Sequence, residues 1–174
     1  MTRIFIAINL PEEIKKKLVE WQEVHKNMDV RWTKKDSLHI TLYFIGWVED
    51  GKVEEVKRVL REISKNYNSF DLYLNEIAIG PDEKNPRMIW ANGPITEELK
   101  KLSKEITETI EKIIDRKEML PFKNHITLAR KHGRIKPFTE EIDLKFRVES
   151  FELMESKLLQ DGAEYGVIEI FKLK

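Results

Sequence analysis

The sequence predicts an α+β fold of two similar lobes, each a sheet backed by helices, around a central cleft. Three observations lead there. Short apolar runs alternate with amphipathic helical stretches along the 174 residues. The tetrapeptide His-Ile-Thr-Leu occurs twice, at 39–42 and at 125–128. The segments around each copy also recur in the same order.

The elements follow from periodicity. Residues 3–9 (RIFIAIN) form a short apolar run with β-branched content, which suits a buried strand. Pro11 sits where a helix can begin, with Glu12 and Glu13 in its first turn. Ile14, Leu18, Trp21 and Val24 then keep helical spacing, so 11–26 is expected to be an amphipathic helix. Residues 38–45 read as a strand that Gly46 closes. Val53, Val56, Leu60 and Ile63 mark a second helix over 52–66. A strand is expected at 70–79, with a turn at Gly80-Pro81 and another strand at 87–91. Leu99, Leu102, Ile106, Ile110 and Ile113 mark a third helix, with Thr96 as its N-cap. Residues 124–129 read as a strand, 131–143 stay unassigned, and 144–155 and 165–173 read as the last strands.

The recurrence suggests an internal duplication, with halves near 1–80 and 85–174 inside one domain. Arg3-x-x-x-Ala7 returns as Arg87-x-x-x-Ala91, an offset of 84. Glu12-Glu13-Ile14-Lys15-Lys16 returns as Glu97-Glu98-Leu99-Lys100-Lys101, offset 85, and the HITL pair has offset 86. Phe70 and Glu76 return as Phe146 and Glu152, offset 76, as if the second copy had lost much of a helix.

Composition excludes several classes of function. Thirty-one basic residues cancel 31 acidic ones. Zero net charge argues against a large basic nucleic-acid platform or a polybasic membrane anchor, while leaving room for a small basic cleft. The absence of cysteine removes disulfides, thiol catalysis and Cys-ligated metal sites. No apolar run approaches 18 residues, and the N-terminus enters a strand pattern at once, so no membrane span and no signal peptide are expected. The expectation is a cytoplasmic protein. Its charge is mostly Lys and Glu, 22 and 23 residues. That bias fits a hot-living source and equally a low-GC genome.

Strand alternation puts His39 and Thr41 on one face, and His125 and Thr127 likewise, opposite their apolar neighbours. The apolar sides belong against helices, which leaves a His–Thr pair from each lobe facing the cleft. Two imidazoles on opposite sides of a phosphorus atom suit in-line displacement. One takes a proton from water and the other protonates a leaving oxygen. Thr hydroxyls can donate to phosphate oxygens, and Arg130 can add a fork-shaped cation. A lone strand histidine is usually structural, but recurrence at matching places in a repeat favours chemistry. A metal site usually needs three or more ligands, and no acidic residue recurs beside both histidines, so no metal and no cofactor are expected. His25 and His132 do not recur and are read as surface residues.

The paired HxTx motifs resemble the two-histidine phosphoesterase superfamily, and within it the RNA 2′,3′-cyclic phosphodiesterases, historically called 2′-5′ RNA ligases. RIFIAINLPEEIKKKL is similar to that family's opening strand and helix, SLHITLYFIG to its first motif, and RMIW to the strand opening its second half. HITLAR is similar to its second motif, and the region of Gly162-Ala163-Glu164-Tyr165 to its closing strand. The resemblance implies antiparallel sheets and a water-filled cleft. It implies metal-independent opening of a terminal ribose 2′,3′-cyclic phosphate to a 2′-phosphate, with weak reversible 2′-5′ joining of RNA ends. It carries catalytic roles onto His39 and His125, and phosphate contacts onto Thr41, Thr127 and Arg130. The first-motif histidine faces the leaving O3′ in the family, which makes His39 the general acid and leaves His125 near the water. Aromatics matching Phe5 and Phe44 flank the terminal base.

Two departures stand out. Strict alternation puts Arg130 on the face opposite His125 and Phe44 opposite His39, which makes Tyr43 the alternative stacking residue. Family members also carry several basic residues where this chain has Lys157-Leu158-Leu159-Gln160-Asp161, implying a weaker grip on long RNA. The expected partner is an RNA end or nucleotide bearing the cyclic phosphate, met by a monomer. The competing readings are a phosphoesterase of 2′-5′ oligonucleotides or of nucleotide-derived cyclic phosphates, and a binding module without turnover. Intact histidines in both motifs count against the last.

Overall fold

The computed structural model describes residues 1–116, 121–160 and 162–174. Along the chain run β1 (Thr2–Asn9), α1 (Glu12–Val24), β2 (Val30–Trp32), β3 (His39–Val48), α2 (Asp50–Ser64), β4 (Phe70–Gly80) and β5 (Met88–Asn92). They continue as α3 (Glu97–Ile114), β6 (His125–Lys131), β7 (Thr139–Val148), β8 (Ser150–Leu159) and β9 (Gly162–Lys172). The strands order as β7-β4-β5-β6-β3-β1-β8-β9, with β2 beside β6, and every pairing is antiparallel. The fold is α+β, as expected. Two half-sheets meet at β3 and β6, which share a single bridging pair, Ile40 with Ile126.

The helices cover one face. Ile14 and Leu18 of α1, Val56, Leu60 and Ile63 of α2, and Leu99, Leu102, Ile106 and Ile110 of α3 are all buried in one core with Ile4, Ile6 and Ile8 of β1. Burying each such side chain contributes about 1.5–3 kcal/mol. Thr96 caps α3 as expected, its hydroxyl accepting the Leu99 N–H at 3.3 Å. Among the described residues no helix is long and apolar enough to cross a membrane.

The structure departs from the sequence reading at several places. Gly46 does not close β3. It holds φ at +83° inside a strand that runs on to Val48. A bulge there needs a left-handed residue, and glycine supplies one without steric cost. The expected strand at 144–155 is two strands, β7 and β8, joined at Glu149. β2 was not expected at all. Nor do the chain halves map one to one onto the half-sheets, because β4 pairs with β5 and β7, while β8 and β9 join β1.

Register also revises the recurrences. Ile8 pairs with Ile40, and Ala91 with Ile126, so β1 and β5 correspond at an offset of 83 and not 84. Phe146 sits on β7 across from Leu72, next to the strand carrying Phe70, so these two phenylalanines are neighbours in one half-sheet and not counterparts. His25 is half-buried, stacked on Trp21 at 4.0 Å and 3.6 Å from a Glu140 oxygen.

Candidate active site

The open face, away from the helices, gathers the recurring motif. His39 and Thr41 of β3 and His125 and Thr127 of β6 are half-buried there, while Ile40, Leu42, Ile126 and Leu128 point into the core. Antiparallel continuation of the Ile40–Ile126 pair sets His39 across from Thr127, and Thr41 across from His125. Each histidine thus shares its row with the other motif's threonine.

Two bulges decide what else reaches this face. In β3 the register steps from Ala7–Thr41 to Ile6–Tyr43, leaving Leu42 as the extra residue. In β6 it steps from Trp90–Thr127 to Ile89–Ala129, leaving Leu128 as the extra residue. An inserted residue reverses the alternation beyond it. Phe44 therefore joins the face of His39, and Arg130 the face of His125, against strict alternation. Tyr43 turns inward and is buried in the main core, so it is not the stacking residue. Phe44 stacks on Phe5 with centroids 6.4 Å apart, and the Arg3 guanidinium lies 4.6 Å from the Phe44 ring centre. Arg130 rests its Nη1 on Met88 Sδ at 3.3 Å.

Hydrogen bonds orient both imidazoles alike. His39 Nδ1 lies 2.8 Å from the Ser37 carbonyl oxygen, and His125 Nδ1 lies 3.1 Å from that of Lys123. A carbonyl only accepts, so each Nδ1 carries the proton and donates. In the neutral rings Nε2 keeps its lone pair. The Thr41 hydroxyl, 3.0 Å from His39 Nε2, donates to it. Aromatic rings brace both histidines. Phe5 and Tyr165 lie 5.1 and 5.3 Å from His39, and Trp90 lies 4.2 Å from His125.

Both imidazoles are held neutral. Burial pushes the His39 pKa down to about 4, helped by the charges of His125 and Lys15, against the opposing hydrogen bond to Ser37. Burial also lowers the His125 pKa, helped by Lys123 and Arg130, against the hydrogen bond to the Lys123 carbonyl.

The face therefore assembles His39, His125, Thr41, Thr127, Arg130, Phe5 and Phe44 and leaves out Tyr43. It adds Trp90 and Tyr165, which sequence reasoning did not assign to the site. Both lie in stretches that carry the family resemblance, RMIW and GAEY. Only the strand register shows which side they take. Asp161, in the stretch expected to weaken the grip on long RNA, lies outside the described residues.

The family profile of the LigT-like phosphoesterases matches residues 8–90. RNA 2′,3′-cyclic phosphodiesterase of Methanocaldococcus jannaschii is 28% identical over 95% of this chain and 98% of its own. Its Thermus thermophilus namesake is 29% identical over 99% of this chain and 90% of its own. A crystal structure of a Thermus thermophilus protein superposes with a TM-score of 0.90 at 28% identity, covering 98% of this chain and 97% of that one. Escherichia coli LigT complexed with 3′-AMP gives 0.83 at 25% identity, covering 99% and 98%. With the paired HITL strands side by side on one sheet, this chain is similar to the LigT-like phosphoesterases over residues 8–90, and over nearly its whole length to RNA 2′,3′-cyclic phosphodiesterases and to LigT.

Proposed function

We propose that the protein hydrolyses terminal 2′,3′-cyclic phosphates of RNA or nucleotides to 2′-phosphates by acid–base catalysis between His39 and His125. The observation that carries this is the matched pair of imidazoles. Each has Nδ1 tied to a carbonyl, which leaves Nε2 as the atom that transfers a proton, and in His39 that atom already meets the Thr41 hydroxyl of its own motif.

Asymmetry between the half-sheets suggests which way the substrate lies. Beside Thr41 the cross-strand residue is Ala7, whereas beside Thr127 it is Trp90. The small residue keeps that side less bulky, and the nucleoside lies against the rings of Phe5, Tyr165 and Phe44. Trp90 fills the matching volume on the other side. The ribose then sits on the His39 side. His39, protonated, gives its Nε2 proton to O3′ as the P–O3′ bond breaks. His125, neutral, accepts a proton from the water whose oxygen bonds to phosphorus. Thr41, Thr127 and Arg130 donate to the non-bridging oxygens, where charge accumulates. The diester anion stabilises an imidazolium beside it and so raises the pKa of a histidine that is neutral in the free protein. Replacing the water by an RNA 5′-hydroxyl gives the 2′-5′ joining reaction with the same proton transfers. One chain supplies both motifs, so a cytoplasmic monomer suffices.

The test is incubation with an oligonucleotide ending in a 2′,3′-cyclic phosphate, with products resolved by isomer. A 2′-phosphate product that still forms after dialysis against EDTA is expected. A 3′-phosphate product, or no turnover, overturns the reading.

A further inference from the structure

Each histidine of the site has an asparagine as its cross-strand neighbour. Asn9 pairs with His39 at the end of β1, and Asn92 pairs with His125 at the end of β5. Directly paired residues of antiparallel strands share a face, so both amides belong to the open face with the imidazoles. The next strand out supplies a carboxylate to each. Asn92 Nδ2 donates to Glu76 Oε1 of β4 at 3.3 Å. Asn9 hydrogen-bonds Glu152 of β8.

These carboxylates do not stand at equivalent rows. Glu152 is across from Ala7, whereas the residue across from Trp90 is Ala78. The arrangement around the asparagines is therefore reached from two different registers, and it is not a by-product of sheet symmetry.

Glu152 is costly where it stands. Its side chain is only 5% exposed, and its Oε2 is buried without a hydrogen-bond partner. Burial raises its pKa, opposed by Asn9 and the charge of Lys15. A half-satisfied buried carboxyl works against stability. It is the kind of local conflict that proteins keep at functional sites.

The amide of Asn9 is held by two hydrogen bonds, one at its oxygen and one at its nitrogen. Its Oδ1 accepts the Leu10 N–H at 3.0 Å, and one N–H goes to Glu152. The remaining N–H is not taken by the imidazole, because His39 Nδ1 already donates to Ser37 and its Nε2 meets Thr41. Asn9 is exposed, so this donor is open to a ligand.

We propose that Asn9 and Asn92 are substrate-contacting residues, each donating an amide N–H to an oxygen of the bound ribose phosphate or the attacking water beside its histidine, with Glu152 and Glu76 as the positioning residues that aim them. This rests on the open face being the catalytic cleft. Asn9 serves the ribose side. Asn92, next to His125, serves the water side. No proton leaves either amide.

The experiment measures kcat/KM on a 2′,3′-cyclic nucleotide and, separately, calorimetric affinity for 2′-AMP. Asn9→Ala and Asn92→Ala are each expected to lower kcat/KM about 10–100-fold, the range for a hydrogen bond to a charged group. The limbs of the pH profile should stay in place, since the imidazoles keep their own partners. Asn9→Ala should weaken 2′-AMP, while Asn92→Ala should spare it and reduce kcat. Asn9→Asp, which keeps the shape but loses the donors, should fare no better than Asn9→Ala. Glu152→Gln, which keeps an acceptor for the amide, should retain at least tenfold more activity than Glu152→Leu. Should Asn9→Ala fail to fold, Asn9→Ser reads the same contact.

Kinetics and affinity within twofold of wild type for both asparagine variants, on an active wild-type protein, overturn this proposal and leave the proposed function standing. A wild type that neither turns over the cyclic nucleotide nor binds 2′-AMP overturns both.

Discussion

Ala7 and Trp90 occupy the same row of two matching strand pairs, one across from Thr41 and the other across from Thr127. Both half-sheets pair each histidine with an asparagine, and against that shared frame the difference in side-chain volume at this row gives the site a direction. Ala7, Phe5 and Met154 form a small buried cluster against Tyr165, apart from the main core. On the other side the Trp90 ring fills the space, and a Cβ at Gly80 would come within 2.5 Å of it.

The first prediction tests that direction. Ala7→Trp should fill the nucleoside side as Trp90 fills the other. KM for a cyclic nucleotide should rise at least tenfold, the range expected when a pocket loses its apolar contacts. Ala7 is itself buried, so fluorescence and circular dichroism must show the variant folded before KM is read. Unchanged KM would place the nucleoside elsewhere.

The second concerns the histidines. His39→Ala and His125→Ala should each slow turnover by roughly 10²–10⁴-fold, the range for general acid–base catalysis. The double variant should lose far less than the product of the two, because both groups serve one step. Turnover close to wild type in either single variant contradicts the pairing.

Much of this site was readable in the sequence, and the unreadable part has one physical source. Helical spacing placed α1, α2 and α3, since a 3.6-residue period over 13–18 residues leaves little ambiguity. The HITL copies identified His39, Thr41, His125 and Thr127. Register was not readable. Leu42 and Tyr43 are both apolar, as are Leu128 and Ala129, so the bulges left no mark in the pattern, and Phe44 and Arg130 looked misplaced. A one-residue error in the β1–β5 offset concealed that Asn9 and Asn92 are counterparts beside the histidines. The three residues of β2 carry too short a pattern to detect, and nothing local to β4 announces that it crosses to the other half-sheet.

The third prediction concerns the segment that carries His125. A Cβ on Gly93 would lie 1.7 Å from the Tyr73 carbonyl oxygen and 2.9 Å from Asn124 Nδ2. Backbone cannot yield as a flexible side chain can. Asn124 bridges the same region, donating to the Pro94 carbonyl oxygen at 2.9 Å, and it directly precedes His125. Gly93→Ala should therefore destabilise the fold by on the order of 3 kcal/mol, as overpacking does. It should also lower kcat more than it raises KM. Urea unfolding and steady-state kinetics measure the two effects. A variant of unchanged stability would show that β4 and β5 have slack at this point.

The last prediction follows from two imidazoles held neutral by burial. The His39 pKa falls from 6.5 to about 4, and the His125 pKa is also lowered. A folded-state value below the unfolded one means that the unfolded chain binds more protons between them. Stability should therefore rise with pH across about 4 to 6.5, and be lost as pH falls through that window. His39→Gln, which cannot titrate, should flatten part of that slope in urea unfolding. Activity should follow the same groups. The free enzyme is competent with one imidazole charged and one neutral. Its kcat/KM should thus describe a bell on the acid side of neutrality, with the limbs belonging to the coupled pair. The bound diester anion favours an imidazolium, so the kcat profile of the complex should be displaced toward higher pH. Coincident profiles would show that the anion does not sit between the histidines. A kcat/KM that climbs steadily to pH 10 would replace the two-histidine mechanism with hydroxide attack.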